Sequence, residues 1–214
     1  METPVLAIHG RGLVPGLLTV RLLRDDPAAP VLLLSPDAAV CGDQLEPVVA
    51  NSLHPAAQIL LEPFVVARWP GYYVMRGGVH ARSDAPVWLL DPVQVWLELQ
   101  ARLAPAALVA ACGPLRQVDG RLCWTGGSAP LDRLIDLDPL IGAAAASQIA
   151  GVGGAQALDL PVLADHDAAC ARWSAHQYIP LGDDRLLIRK LPHAANLVAQ
   201  HTPLAALLNT LLAG

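Results

Sequence analysis

Apolar residues along this chain fall in short runs, and the runs are divided by glycine, proline and aspartate. Residues 4–9 (P-V-L-A-I-H) and 30–34 (P-V-L-L-L) are continuous apolar runs of strand length, the pattern of strands buried on both faces. Between them Gly10-Arg-Gly12-Leu-Val-Pro-Gly16 reads as a turn. Leu17, Val20 and Leu23 then repeat with helical spacing over residues 17–24, until Asp25-Asp26-Pro27 ends the segment. Strand, glycine turn, helix and strand together predict a right-handed βαβ unit with a parallel strand pair.

Beyond this unit the pattern predicts mixed short strands and few helices. Residues 35–53 carry no clean period and read as loop with a short helix. Residues 71–76 and 78–82 read as two strands turned at Gly77-Gly78. Asp91-Pro92 is a helix start, an N-cap with proline at the first helical position, and Val93, Trp96, Leu97 and Leu103 supply its apolar face. A strand is expected near 107–111. A hairpin follows, with strands 115–118 and 121–124 joined at Asp119-Gly120, a dipeptide suited to the tightest hairpin turns. Residues 133–136 form a strand returning to the first sheet. Further strands are expected at 161–164, 174–180 and 185–189, and Thr202-Pro203 opens a closing helix.

The expected fold class is therefore α/β: a Rossmann-type βαβ layer of the kind that binds FAD or NAD(P), carrying an inserted antiparallel sheet. As one unit over 1–214, the layer takes residues 1–60 and about 106–145. The inserted sheet region takes about 61–105 and 146–192, and the C-terminal helix takes 200–214.

Composition narrows the function classes. The 214 residues are 54% apolar and 15% charged, which excludes a disordered chain. Nineteen prolines and seventeen glycines keep regular elements short and argue against a helical bundle. The net charge is −5, the 14 basic residues are scattered, and Lys190 is the only lysine. Neither a nucleic-acid partner nor an electrostatic grip on anionic lipid is expected. Cys41, Cys112, Cys123 and Cys170 form no C-x-x-C pair and read as reduced thiols of a cytoplasmic protein without a signal peptide. The charge-free stretch 139–158 is too rich in Ala, Gly, Ser and Gln to span a membrane.

The chemistry-bearing pattern is Gly10-x-Gly12-x-x-x-Gly16. After a strand and before a helix, Gly10 permits the tight turn, Gly12 lets phosphates approach the backbone, and the helix N-terminus carries partial positive charge. The alternative is a glycine-rich βα turn without a ligand, because Pro15 stands where the third glycine of the six-residue form belongs. The second strand ends in Ser35 instead of the acid that grips a ribose hydroxyl, with Asp37 two residues beyond.

The stretch 5–35 resembles the opening of bacterial lycopene cyclases, FAD-dependent proteins of carotenoid biosynthesis. Arg68-Trp69-Pro70-Gly71-Tyr72 resembles that family's R-W-P-G-Y block, and Asp132-Arg-Leu-Ile-Asp136 its D-L-V-I-D strand. Pro161-Val-Leu-Ala-Asp165 resembles P-V-L-M-D, and residues 180–188 resemble L-P-L-x-x-D-R-L-L-I. These blocks occur in the family's order with near-family spacing. The resemblance implies FAD at Gly10, Gly12, Gly16, Ser35 and Asp136, and a carotenoid polyene near Trp69 and Tyr72. The reaction it implies is acid-catalysed, non-redox ring closure of a lycopene-type polyene. It implies a cytoplasmic protein, peripheral at the inner face of the membrane.

Departures from the family fall on its functional positions. Its acidic pair, whose first member is the proposed proton donor, falls on Arg189-Lys190, and arginine cannot give up a proton in that role. The H-T-W-S-F-H-D loop falls on residues 44–50. Asp138-Pro139 stands where the D-A-R-G-P turn has arginine, and the C-terminal part of the family fold is missing. Asp165 is the candidate substitute acid, against a plain strand-end aspartate. Two readings follow: an active flavin-dependent cyclase, or a catalytically dead pseudoenzyme binding a carotenoid or partner without FAD. The second expects a homo-oligomer or a partner protein over the truncated edge.

Other constellations are thin. His166 and Cys170 share a helix spacing, but no second pair completes a zinc set, so no metal is expected. His9 reads as a packed strand-end histidine. Trp69, Tyr72, Tyr73, Trp88 and Trp96 could line a polyene channel, with ordinary core as the plainer reading for Trp88 and Trp96.

Overall fold

The computed structural model describes residues 3–42, 45–69, 72–76, 79–138, 148–154, 175–180, 185–190 and 209. The chain opens with β1 (Val5–His9), α1 (Leu13–Asp25) and β2 (Val31–Leu34). Next come β3 (Glu46–Val49), α2 (Pro55–Leu61), β4 (Val65–Trp69), the hairpin β5 (Tyr72–Arg76) and β6 (Val79–Ser83), and β7 (Val87–Leu90). After α3 (Pro92–Arg102) follow β8 (Leu108–Val109), β9 (Arg116–Val118), β10 (Arg121–Trp124) and β11 (Gly127–Asp136). The last described strands are β12 (Gln148–Gly154), β13 (Ala175–Pro180) and β14 (Arg185–Lys190).

The first sheet has the order β8-β2-β1-β11-β10-β9. Its β8, β2, β1 and β11 pair in parallel, and β9, β10 and the first half of β11 form an antiparallel meander. β11 spans both halves because its ten residues are long enough to leave the meander and continue beside β1. This is an α/β fold with mixed sheets and few helices, resembling a dinucleotide-binding layer. Side chains alternate across β1: Ile8 enters the core with Leu17, Val20, Val95 and Leu99, while Ala7 enters a second cluster with Leu32, Leu34, Cys112 and Leu122. The layer is thus covered on both faces, which is why β1 and β2 read as unbroken apolar runs.

α1 starts at Leu13, four residues before the periodicity suggested, so Pro15 and Gly16 lie inside it. Proline is tolerated there because the first-turn N–H groups have no intrahelical partner. α3 packs Val95 and Leu99 into the core with α1, whereas Val93 and Leu97 of the expected apolar face are about half exposed. Its Asp91 N-cap accepts the Val93 N–H at 2.9 Å, as Asp-Pro implies. The Asp119-Gly120 hairpin forms with φ of 50° and 72° at those residues, the signature of a type I′ turn.

Two further sheets complete the described chain. One, β12-β14-β13-β5-β6, is antiparallel throughout. The other, β3-β7-β4, falls partly in the stretch read as loop. β12 falls in the charge-free stretch, to which no element was assigned. The expected strand at 161–164 lies outside the described residues. So does the closing helix apart from Asn209, whose side chain accepts the His54 N–H at 2.7 Å and donates to the Ser52 carbonyl at 2.8 Å. No helix among the described residues is long and apolar enough to cross a membrane.

Candidate functional site

Parallel pairing brings the last residues of β1 and β11 side by side, His9 against Asp136. His9 Nδ1 lies 2.8 Å from Asp136 Oδ1, and the Asp138 N–H donates to the same oxygen at 3.1 Å. A carboxylate only accepts, so Nδ1 carries a proton, and Nε2 is the ring nitrogen open to a further partner. The chain then turns sharply at Gly10, where φ is 153°, and a Cβ would meet Pro15 Cγ at 3.0 Å and Leu137 Cβ at 3.2 Å. Gly12, the N-cap of α1 with φ of 71°, has nothing within 4 Å of where a Cβ would stand. Only glycine meets the first requirement cheaply, and the second leaves open space beside the start of the helix.

Charge gathers at this corner. Arg11 Nε donates to Asp138 Oδ1 at 2.7 Å and Nη1 to Asp37 Oδ1 at 3.5 Å. The hydrogen bond and charge of Asp138, then the charge of Asp37, hold the Arg11 guanidinium above its usual range. Ser35 is fully buried; its Oγ accepts the Asp37 N–H at 3.1 Å and its carbonyl accepts the Cys112 N–H at 2.9 Å. Burial first, and the charge of Asp138 to a lesser degree, push the Cys112 thiol up.

Beside the corner, on the meander side of the sheet, opens a cleft of about 430 Å³. His9, Asp136 and Asp138 line it at the strand ends, Pro36, Pro114 and Leu115 give it apolar walls, and Arg116 of β9 supplies a cation. No group of three or more metal-ligating side chains occurs among the described residues.

This donor set suits a dinucleotide only in its phosphate half. The backbone N–H groups of Leu13 and Val14 open α1 beside the free space at Gly12, but Pro15 offers none and Arg11 is held by two carboxylates. The ribose half does not fit, because the Ser35 hydroxyl is buried and already accepts a backbone hydrogen bond.

The other sequence candidates are dispersed. Gly16 sits in α1, where a Cβ would come 2.7 Å from Cys41 Sγ and 3.2 Å from Val95 Cγ1, so it serves close packing of α1 on α3 and the 39–42 segment. Trp69 ends β4 and Tyr72 begins β5, in different sheets. Arg189 lies on β14, opposite Ile149 and Gln177 in register. Trp88 is partly buried with the Arg68 guanidinium 5.3 Å from its ring centroid, and Trp96 is partly buried against the main core. Asp165, His166 and Cys170 lie outside the described residues. The Arg11 clasp and Arg116 were not singled out from the sequence. The only pointer to the first was that β1 and the returning strand, if parallel neighbours, would end together.

No known family's sequence profile matches this chain, and no curated protein does. Solved structures similar to it include 2,6-dihydroxypyridine-3-hydroxylase from Arthrobacter nicotinovorans, at 13% identity and TM-score 0.45, covering 92% of this chain and 58% of that one. RebC-10x, native and with K252c bound, is 12% identical with TM-score 0.46, covering 91% and 47%. The substrate-free rebeccamycin biosynthetic enzyme REBC is 11% identical with TM-score 0.41, covering 96% and 51%. The chain spans about half the length of these structures.

Proposed function

We propose that this chain is a lycopene-cyclase-like protein of carotenoid biosynthesis, built on a flavoprotein-type layer and binding a lycopene-type polyene. The observation that carries the reading is the strand–glycine turn–helix at Gly10 and Gly12, at the C-terminal ends of the parallel strands β2, β1 and β11. Ligands of such layers bind at that edge. The activity of the family resembled is FAD-dependent, non-redox ring closure of the polyene, and Trp69, Tyr72 and Asp165 are the residues proposed to serve it.

A second reading is favoured by specific observations. Ser35 is already engaged, Arg11 is clasped by Asp138 and Asp37, and arginine stands at position 189 where a proton donor is required. In this reading the chain is a pseudoenzyme that binds a carotenoid or a partner protein, or a second copy of itself, without flavin.

The visible spectrum of the purified protein, followed by FAD titration and then incubation with lycopene and reduced FAD, separates the two. Bound flavin and a cyclised product support the enzyme. Lycopene retained with no FAD bound supports the pseudoenzyme. A protein that takes neither FAD nor lycopene overturns the enzyme and the carotenoid-binding pseudoenzyme, leaving only the binding of a partner protein or a second copy.

A further inference from the structure

We propose that the cleft lined by His9, Asp136 and Arg116 binds a small, weakly acidic hydroxy compound, a phenol in the simplest case. Its hydroxyl proton passes to His9 Nε2, and its oxyanion faces Arg116. The inference stands apart from any flavin or polyene reading.

His9 is only 9% exposed, yet of its two ring nitrogens only Nδ1 has a hydrogen-bond partner among the described residues. A buried polar atom left unpaired costs free energy, so Nε2 calls for a donor from the cleft that its ring lines. A hydroxyl supplies that donor, with Nδ1 held from behind by the Asp136 carboxylate so that Nε2 is the nitrogen turned to the ligand. The proton leaves the ligand oxygen, the N–H bond forms at Nε2, and the charges that result are an imidazolium on Asp136 and an oxyanion in the cleft. No oxidant or further reactant is required.

The surrounding charges decide that the oxyanion is accepted. Asp136 is engaged by His9 and by the Asp138 N–H, and the Asp138 carboxylate is matched by Arg11, which also reaches Asp37. The Cys112 thiol nearby is kept protonated by burial. Arg116 is exposed, lines the cleft and takes part in none of the ion pairs of the described residues, so its guanidinium is the cation left to a ligand. Pro36, Pro114 and Leu115 offer flat, rigid apolar surface that suits the faces of a ring.

The test uses 4-nitrophenol with the full chain, at a pH below the probe's own pKa, where the free probe is colourless and its anion absorbs in the visible. A saturable anion band on adding protein is expected, together with a shift of the His9 ring-proton resonances at the same midpoint. Arg116→Gln, an exposed position that leaves the core intact, should weaken binding roughly tenfold or more, as loss of a charged hydrogen bond does. His9→Gln and Asp136→Asn should abolish the band. Absence of binding, binding of the uncharged probe only, or an Arg116→Gln variant indistinguishable from the parent would overturn the proposal. If His9→Gln fails to fold, the Arg116 variant and the parent's His9 resonances decide it.

Discussion

Arg11 Nε lies 2.7 Å from Asp138 Oδ1, joining the turn after β1 to the end of β11 across 127 positions of sequence. The family resemblance puts an arginine at position 138, where this chain has aspartate, and the structure brings a guanidinium to that corner from the opposite side. Arg11 is exposed and Asp138 partly so, so the contact is a screened one. Arg11→Gln and Asp138→Asn should each lower the melting temperature slightly at low salt. The double variant should lose less than the sum of the two, and the non-additivity should vanish at molar salt. Strict additivity at low salt would mean that the pair does not form in solution.

Gly16 argues for packing in place of ligand contact. Alanine is the better helix former by about 1 kcal/mol, but its methyl group would stand 2.7 Å from Cys41 Sγ and 3.2 Å from Val95 Cγ1. Overpacking of this kind costs about 1–3 kcal/mol, so Gly16→Ala should be destabilising by urea unfolding. Removing the sulfur with Cys41→Ala should recover part of that loss. A Gly16→Ala variant more stable than the parent would show that the 39–42 segment yields without cost.

The parts of the fold that were legible in sequence are those where local chemistry allows one answer. The apolar runs of β1 and β2 are too short for helices and bounded by Gly and Pro, which makes them strands covered on both faces, and Asp119-Gly120 selects its turn by conformation alone. α3 was legible as a helix but not in its orientation. Val93, Val95, Trp96, Leu97 and Leu99 give it apolar residues on more than one side, and only docking against α1 chooses Val95 and Leu99. The β3-β7-β4 sheet was lost because its strands are short, and pairing between distant segments decides them. The candidate site was half visible. The glycines lie within one turn, whereas the contacts His9–Asp136 and Arg11–Asp138 depend on which strand lies beside β1, a question of topology.

The start of α3 offers a clean stability test. Asp91 Oδ1 accepts the Val93 N–H at 2.9 Å, and a proline stands at the first helical position. Asp91→Ala should cost about 1 kcal/mol, and Asp91→Ser should restore most of it. Chemical denaturation of the three proteins measures both. An alanine variant as stable as the parent would mean that burial of Val95 and Leu99, without the cap, fixes the helix start.

Cys41 is 2% exposed against α1, and burial pushes its thiol up to about 12 from an ordinary value of 9.0. As pH rises, the unfolded chain gives up this proton first, so between those values the folded state binds more protons than the unfolded one. Stability from the buried neutral thiol is therefore whole below about pH 9 and is lost as pH climbs toward about 12. Cys112, raised in the same direction, adds to the decline. Urea unfolding across this range should show stability falling with pH, and Cys41→Ala should flatten the slope. The same burial protects the thiol, because the thiolate is the reactive species. With a thiol-reactive dye at pH 8, half-buried Cys123 should label first among the described cysteines, and Cys41 only as fast as the chain opens. Labelling of Cys41 at the rate of Cys123 would mean that residues 39–42 lift from α1 in the native state, uncovering the glycine turn.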